Sequence, residues 1–146
     1  MITRERMAQE IAVFDYMKMP RQAYRFLDMD TDSPYIVLAA RTNNGNLYTV
    51  RIDLDEFPNE IPEVYVHRHG RVLRDSDGEA LDSCSASMHT LEGNHGYTQI
   101  CHFSYVAWRP TISLFKVYVR CRLWLEAYEG HLKTGLPLDH WLKHAE

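Results

Sequence analysis

Cys101 sits in the run Ile100-Cys101-His102-Phe103, with His89 upstream and Trp108-Arg109-Pro110 downstream. A thiolate is both a strong nucleophile and a good leaving group, so an accessible cysteine is a natural site for covalent chemistry. Ile100 and Phe103 read as buried anchors on either side of it, and Gln99 and His102 as polar residues facing outward. That arrangement predicts a thiol presented at a surface, where it can meet a large partner. Cys121 reads differently. It shares helical spacing with Leu114, Val117, Trp124 and Tyr128, so it is expected to fill the core as a small hydrophobe.

Two other chemistries use the same residue types. Cys84, His89, His95, Cys101 and His102 are all zinc-ligand types, but no pair among these five has Cys-x-x-Cys or His-x-x-x-His spacing. The sequence therefore predicts no metal site. A Cys-His hydrolase commonly sets its cysteine at a helix N-terminus, where the dipole lowers the pKa. Here the next helical pattern begins well after Cys101, at Pro110, in the position that favours proline.

The elements that position the thiol can be read along the chain. Thr3 is a plausible N-cap for a helix carrying Met7, Ile11 and Phe14 at helical spacing, and Pro20 closes that pattern. Four strands are expected next: Tyr24 to Met29, Tyr35 to Ala40, Leu47 to Leu54 and Glu63 to His67. The third alternates, with Tyr48, Val50, Ile52 and Leu54 on one face. Asn43-Asn44-Gly45-Asn46 supplies the hairpin turn before it. Phe57-Pro58 to Ile61-Pro62 is a rigid connector that cannot lie within a sheet. Residues 68 to 100 read as a long irregular segment, punctuated by Gly70, Gly78, Gly93 and Gly96 and made acidic by Asp75, Asp77, Asp82 and Glu92. After the main helix, ended by Gly130 or Gly135, a short final helix over Leu138, Trp141 and Leu142 is expected behind Pro137.

These elements make an α+β pattern in a single domain over residues 1 to 146, with ample material for one core: apolar content is 45% and aromatic content 12%. The formal charge of -4, with arginines scattered rather than striped, argues against nucleic-acid binding. No stretch is apolar enough to span a membrane, and residues 1 to 6 carry no apolar signal core. An odd count of three cysteines without such a signal fits free thiols in the reducing cytoplasm.

The order of elements and the trio of His89, Ile100-Cys101 and Trp108-Arg109-Pro110 resemble the ubiquitin-conjugating (E2) enzymes over nearly the whole chain. The prolines of the Phe57 to Pro62 connector, followed by Val64-Tyr65-Val66, resemble that family's proline-rich turn and fourth strand. Thr111-Ile112-Ser113-Leu114 continues as its second helix does. The resemblance implies a fold of N-terminal helix, four-strand antiparallel meander and C-terminal helices. It implies that Cys101 carries the C-terminal carboxyl group of a ubiquitin-like protein, or of a target protein, as a thioester and passes it to an amine, without a cofactor. It implies an E1-like activating enzyme, a ubiquitin-like protein and a protein target as partners.

His89, with Cys101 a candidate catalytic residue or else a structural tie of the loop to backbone, stands where the family's His-Pro-Asn motif begins, but Leu91 occupies the asparagine's place. Asn94 and His95 are the candidates for the missing oxyanion or orienting support. Trp108 and Pro110 are expected to brace the site. The interval from His89 to Cys101 is long, and His102-Phe103-Ser104-Tyr105 departs from the usual Leu-Asp. In both respects the chain is similar to bacterial E2-like proteins encoded with ubiquitin-like conjugation or antiphage defence systems. By that analogy a cGAS-like nucleotidyltransferase is one candidate target. The alternative reading is an E2-like module that binds partners without catalysis.

Overall fold

A computed structural model describes residues 2–143. Helix α1 spans Arg4–Tyr16, and the Thr3 hydroxyl caps it by accepting from the Arg6 amide at 3.0 Å. Six antiparallel strands follow: β1 Tyr24–Leu27, β2 Tyr35–Arg41, β3 Leu47–Asp53, β4 Val64–His67, β5 Thr90–Asn94 and β6 Tyr97–Ile100. They form one open sheet in the order β1-β2-β3-β4-β6-β5. Helix α2, Leu114–Thr134, closes the fold, with a 3-10 turn at Leu138–His140 behind it.

The expected four-strand meander is thus the first part of a six-strand sheet. The two extra strands lie inside the segment expected to be irregular. Their hairpin turns on His95 and Gly96, both with positive φ (58° and 76°), as a two-residue primed turn requires. β6 then pairs with β4 through Tyr65↔Gln99 and Val66↔Thr98, so this hairpin extends the sheet.

The expected alternation in β3 holds. Tyr48, Val50 and Ile52 are buried there, and their registered partners Ala40, Leu38 and Ile36 on β2 bury the same face. β4 buries both faces: Val64 and Val66 join the core, while Tyr65 is covered by the His95 ring at 5.1 Å. The β2–β3 hairpin turns at Gly45 (φ 87°) within the Asn-rich stretch. Glu129 of α2 reaches into this corner. It accepts hydrogen bonds from Tyr48 Oη (2.7 Å), Asn46 Nδ2 (2.8 Å) and Asn44 Nδ2 (2.9 Å), so the buried carboxylate is satisfied.

Helix α2 begins later than the proline implied. Ser113 is its N-cap, accepting from the Lys116 amide at 3.1 Å, and Pro110 lies in the preceding turn. The reason lies in α1. Glu10, only 3% exposed, accepts from the Leu114 amide, while Arg6 pairs with Glu10 at 2.8 Å and donates to the Pro110 and Ile112 carbonyls. The chain from 110 to 112 is held by these bonds and enters the helix only after them. Gly135, not Gly130, ends the helix, in the left-handed conformation at φ 77°. Gly130 has a different role: a Cβ there would stand 2.9 Å from the Trp141 ring. The final segment is one 3-10 turn rather than a helix reaching Leu142.

Candidate functional site

Cys101 is the first residue past β6. Thr90 pairs with Ile100, and one step further the Cys101 amide donates to the His89 carbonyl at 2.9 Å. His89 therefore touches the cysteine's backbone across the end of the ladder. The same carbonyl also accepts from the Trp124 indole N–H at 3.1 Å, which fixes it to α2. His89 turns the chain at φ 52°, and its Nε2 lies 2.7 Å from Asp139 Oδ1. The Asp139 amide in turn donates to the Ser87 carbonyl at 3.0 Å. His89 is a joint between the loop before β5, the cysteine and the final 3-10 turn.

The Cys101 side chain is half-buried, between a fully buried Ile100 and a buried Phe103, as the sequence predicts. His102 departs from expectation. It is 9% exposed rather than outward-facing, and its Nε2 has no hydrogen-bond partner among the described residues. Burial pushes its pKa down to about 4. A backbone hydrogen bond to Ile100 works against that shift, and the nearby Arg120 charge adds to it. His102 is therefore neutral at pH 7.

Two adjoining recesses of about 70 and 130 Å3 open beside the thiol, and both are bordered by His89, Cys101, His102, Arg120 and Lys143. Arg120 lies over the Phe103 ring at 4.3 Å and reaches the His102 carbonyl at 3.4 Å. Among the described residues the two recesses are thus lined by two cations and a thiol, and by no carboxylate.

Asn94 and His95 are not brought to this site. They form the tip of the β5–β6 hairpin, and Asn94 pairs with Tyr97 while Cys101 lies beyond the other end of β6. Four residue steps along the strand separate Tyr97 from Cys101, about 13 Å at the usual rise. Leu91, which the resemblance set in the place of an asparagine, is on β5 opposite Gln99 and exposed. Trp108 packs against the run that follows Cys101. Its ring packs edge-on to Phe103 (5.5 Å) and Phe57 (6.1 Å), and its indole N–H donates to the Pro58 carbonyl at 3.0 Å. Pro110 contributes its carbonyl to Arg6. Cys121 is fully buried in the core.

Sequence reading missed Arg120, Lys143 and Asp139. Arg120 carries a legible signal: it precedes the core residue Cys121 and is one helical turn from Val117, so it borders the buried stripe of α2 rather than opposing it. Lys143 reaches the recesses and Asp139 reaches His89 only through the docking of the final turn, for which no local pattern exists.

The five candidate zinc ligands do not converge: among the described residues no group of three or more His, Cys, Asp or Glu side chains is placed to hold a metal ion. Burial raises the Cys101 pKa above its ordinary value, and the charge of Cys84 raises it further. In a Cys84→Ser variant, which leaves Cys101 as the only accessible cysteine, the rate of alkylation by iodoacetamide should climb about tenfold per pH unit from neutral pH, because thiolate is the reacting form. Rates measured across the alkaline range check this; a plateau near pH 7 would contradict it.

Comparison of the chain with protein-family models, with curated proteins and with solved structures finds no match. Among the described residues no helix is long and apolar enough to cross a membrane.

Proposed function

We propose that this protein is an E2-like conjugating enzyme: Cys101 accepts the C-terminal acyl group of a ubiquitin-like protein as a thioester and transfers it to an amine. The observation that carries the reading is the setting of the thiol. It is half-buried at recesses of about 70 and 130 Å3, well below the roughly 300–1,000 Å3 of small-molecule sites. Such a site suits the narrow end of a macromolecular substrate, whose bulk stays outside.

In the first step the Cys101 thiolate attacks the carbonyl carbon of the activating enzyme's thioester. A C–S bond forms, the other C–S bond breaks, and the activating enzyme's thiolate departs. The free energy of the thioester is conserved. In the second step an amine attacks the carbonyl, an amide forms, the Cys101 thiolate leaves, and the amine's proton passes to solvent. Each step passes through an oxyanion. Arg120, beside the thiol in both recesses, is positioned to stabilise that charge where the family's asparagine is replaced by Leu91. His89 supports the site by tying Cys101 to α2 through its carbonyl.

The reading includes an E1-like activating enzyme and, by the analogy with defence systems, a bacterial cytoplasmic setting with a cGAS-like nucleotidyltransferase among the targets. The test is incubation with an activating enzyme, its ubiquitin-like protein and ATP, followed by a non-reducing gel. A thiol-sensitive adduct is expected with the native protein and is absent from Cys101→Ala. No adduct with cognate partners sinks the proposal and leaves the binding-module reading.

A further inference from the structure

A second site lies at the other end of the β5–β6 hairpin. Directly after β4 the chain makes a tight turn in which the Arg68 and Arg71 backbones exchange hydrogen bonds at 3.2 and 3.1 Å. His69 and Gly70, at φ 54° and 72°, form its tip. Residues paired across an antiparallel bridge project from the same face, so the two guanidiniums start side by side. Like charges directly opposite destabilise a strand pair, so this arrangement is costly without a counter-charge.

Among the described residues Arg68, Arg71 and Arg74 make no salt bridge. Arg68 donates to the Asn46 side chain and lies over the Tyr48 ring, and Arg74 donates to the Gly78 carbonyl. The Arg71 guanidinium makes no hydrogen bond among the described residues. The nearest acidic groups are engaged elsewhere: Glu129 takes the three bonds from Asn44, Asn46 and Tyr48, and Asp75 takes the Asp77 and Glu79 amides. The three arginines border one open cavity of about 880 Å3, lined also by Leu73 and Tyr128, and among the described residues no Asp or Glu lines it. In a chain of net charge -4 this is a local concentration of the opposite sign.

We propose that this cavity binds a small molecule bearing adjacent phosphates, of the nucleoside diphosphate or triphosphate class. Its volume falls within the range of small-molecule sites. Guanidinium forks match phosphate oxygens in pairs, and three of them around one cavity suit two or more linked phosphates better than a single carboxylate. The cavity is separate from Cys101, and the inference does not rest on the conjugating activity.

The test is calorimetric titration of the full chain with inorganic pyrophosphate and with ADP at low salt. Saturable binding is expected for both, weakened at least tenfold by Arg71→Glu and by Arg71→Ala. Arg25→Glu removes an exposed arginine on β1 and should leave the affinity unchanged. Thermal unfolding checks that each variant folds; Arg71 is exposed, and its side chain supports no neighbour. Absence of saturable binding to the native protein overturns the proposal. Equal weakening by Arg71→Glu and Arg25→Glu does so too, since it would reflect overall charge. Tighter binding of a glutamate-rich peptide than of pyrophosphate overturns the ligand class.

Discussion

Trp124→Ala should destabilise the fold by about 3–5 kcal/mol, the range for removing a large aromatic from a packed core. Trp124 is 1% exposed, stacks on Tyr128 at 5.4 Å and 12°, and donates its indole N–H to the Met88 and His89 carbonyls at 3.2 and 3.1 Å. Truncation leaves a cavity and removes the donor that holds the His89 carbonyl in place. Because that carbonyl receives the Cys101 amide, the damage spreads to the thiol. Trp124→Phe keeps an aromatic ring but loses part of the indole's volume and both hydrogen bonds, so a smaller loss of about 1–3 kcal/mol is expected. Urea unfolding of the three proteins measures both differences. Alkylation of Cys101 should accelerate in the alanine variant. A loss below 1 kcal/mol in Trp124→Ala would show that α2 is not the anchor of this loop.

His102 gives the second large effect, through acid. Its pKa is near 4 in the folded protein and 6.5 when exposed. Between those values the unfolded chain binds a proton that the folded chain refuses, so stability falls as pH drops from about 6.5 to about 4 and then levels. The difference corresponds to about 3 kcal/mol. Above pH 6.5 both states are neutral at this residue, and it contributes no slope. His102→Leu removes the titrating group and the unpartnered Nε2 together. The variant should match or exceed the native protein in stability at pH 7 and lose about 3 kcal/mol less on acidification. Chemical denaturation at pH 7 and near pH 4 measures this. Parallel stability curves for the two proteins would refute a buried, neutral imidazole.

The residues that the sequence places well are those with a strong local rule. Thr3 caps α1, Asn-rich Gly45 turns the first hairpin, and the apolar positions of β3 and α2 face the core. The anchors Ile100 and Phe103 and the brace Trp108 follow from the same apolar pattern. The β5–β6 hairpin was hidden because Thr90-Leu91-Glu92-Gly93-Asn94 lacks alternation and is mostly exposed on both faces. Its one local signal, the His95-Gly96 tip, was submerged among other glycines. Asn94 and His95 can partner Cys101 only if that segment is a loop. Once it is a hairpin, pairing distance separates them from the thiol. Burial of His102 and the approach of Lys143 depend on helix α2 and the final turn closing over the loop, and no short-range pattern encodes that.

The clamp between Arg6, Glu10 and the entry to α2 has a kinetic meaning. Its hydrogen bonds join residues 104 and 106 positions apart. Contacts of that span are slow to form, since the intervening chain must first be brought together. During synthesis α1 emerges with Glu10 and Arg6 facing only each other, and the backbone they are shaped to hold does not yet exist. The joint that sets where α2 begins, and so where the chain after Cys101 is anchored, cannot close until both ends of that span have been made.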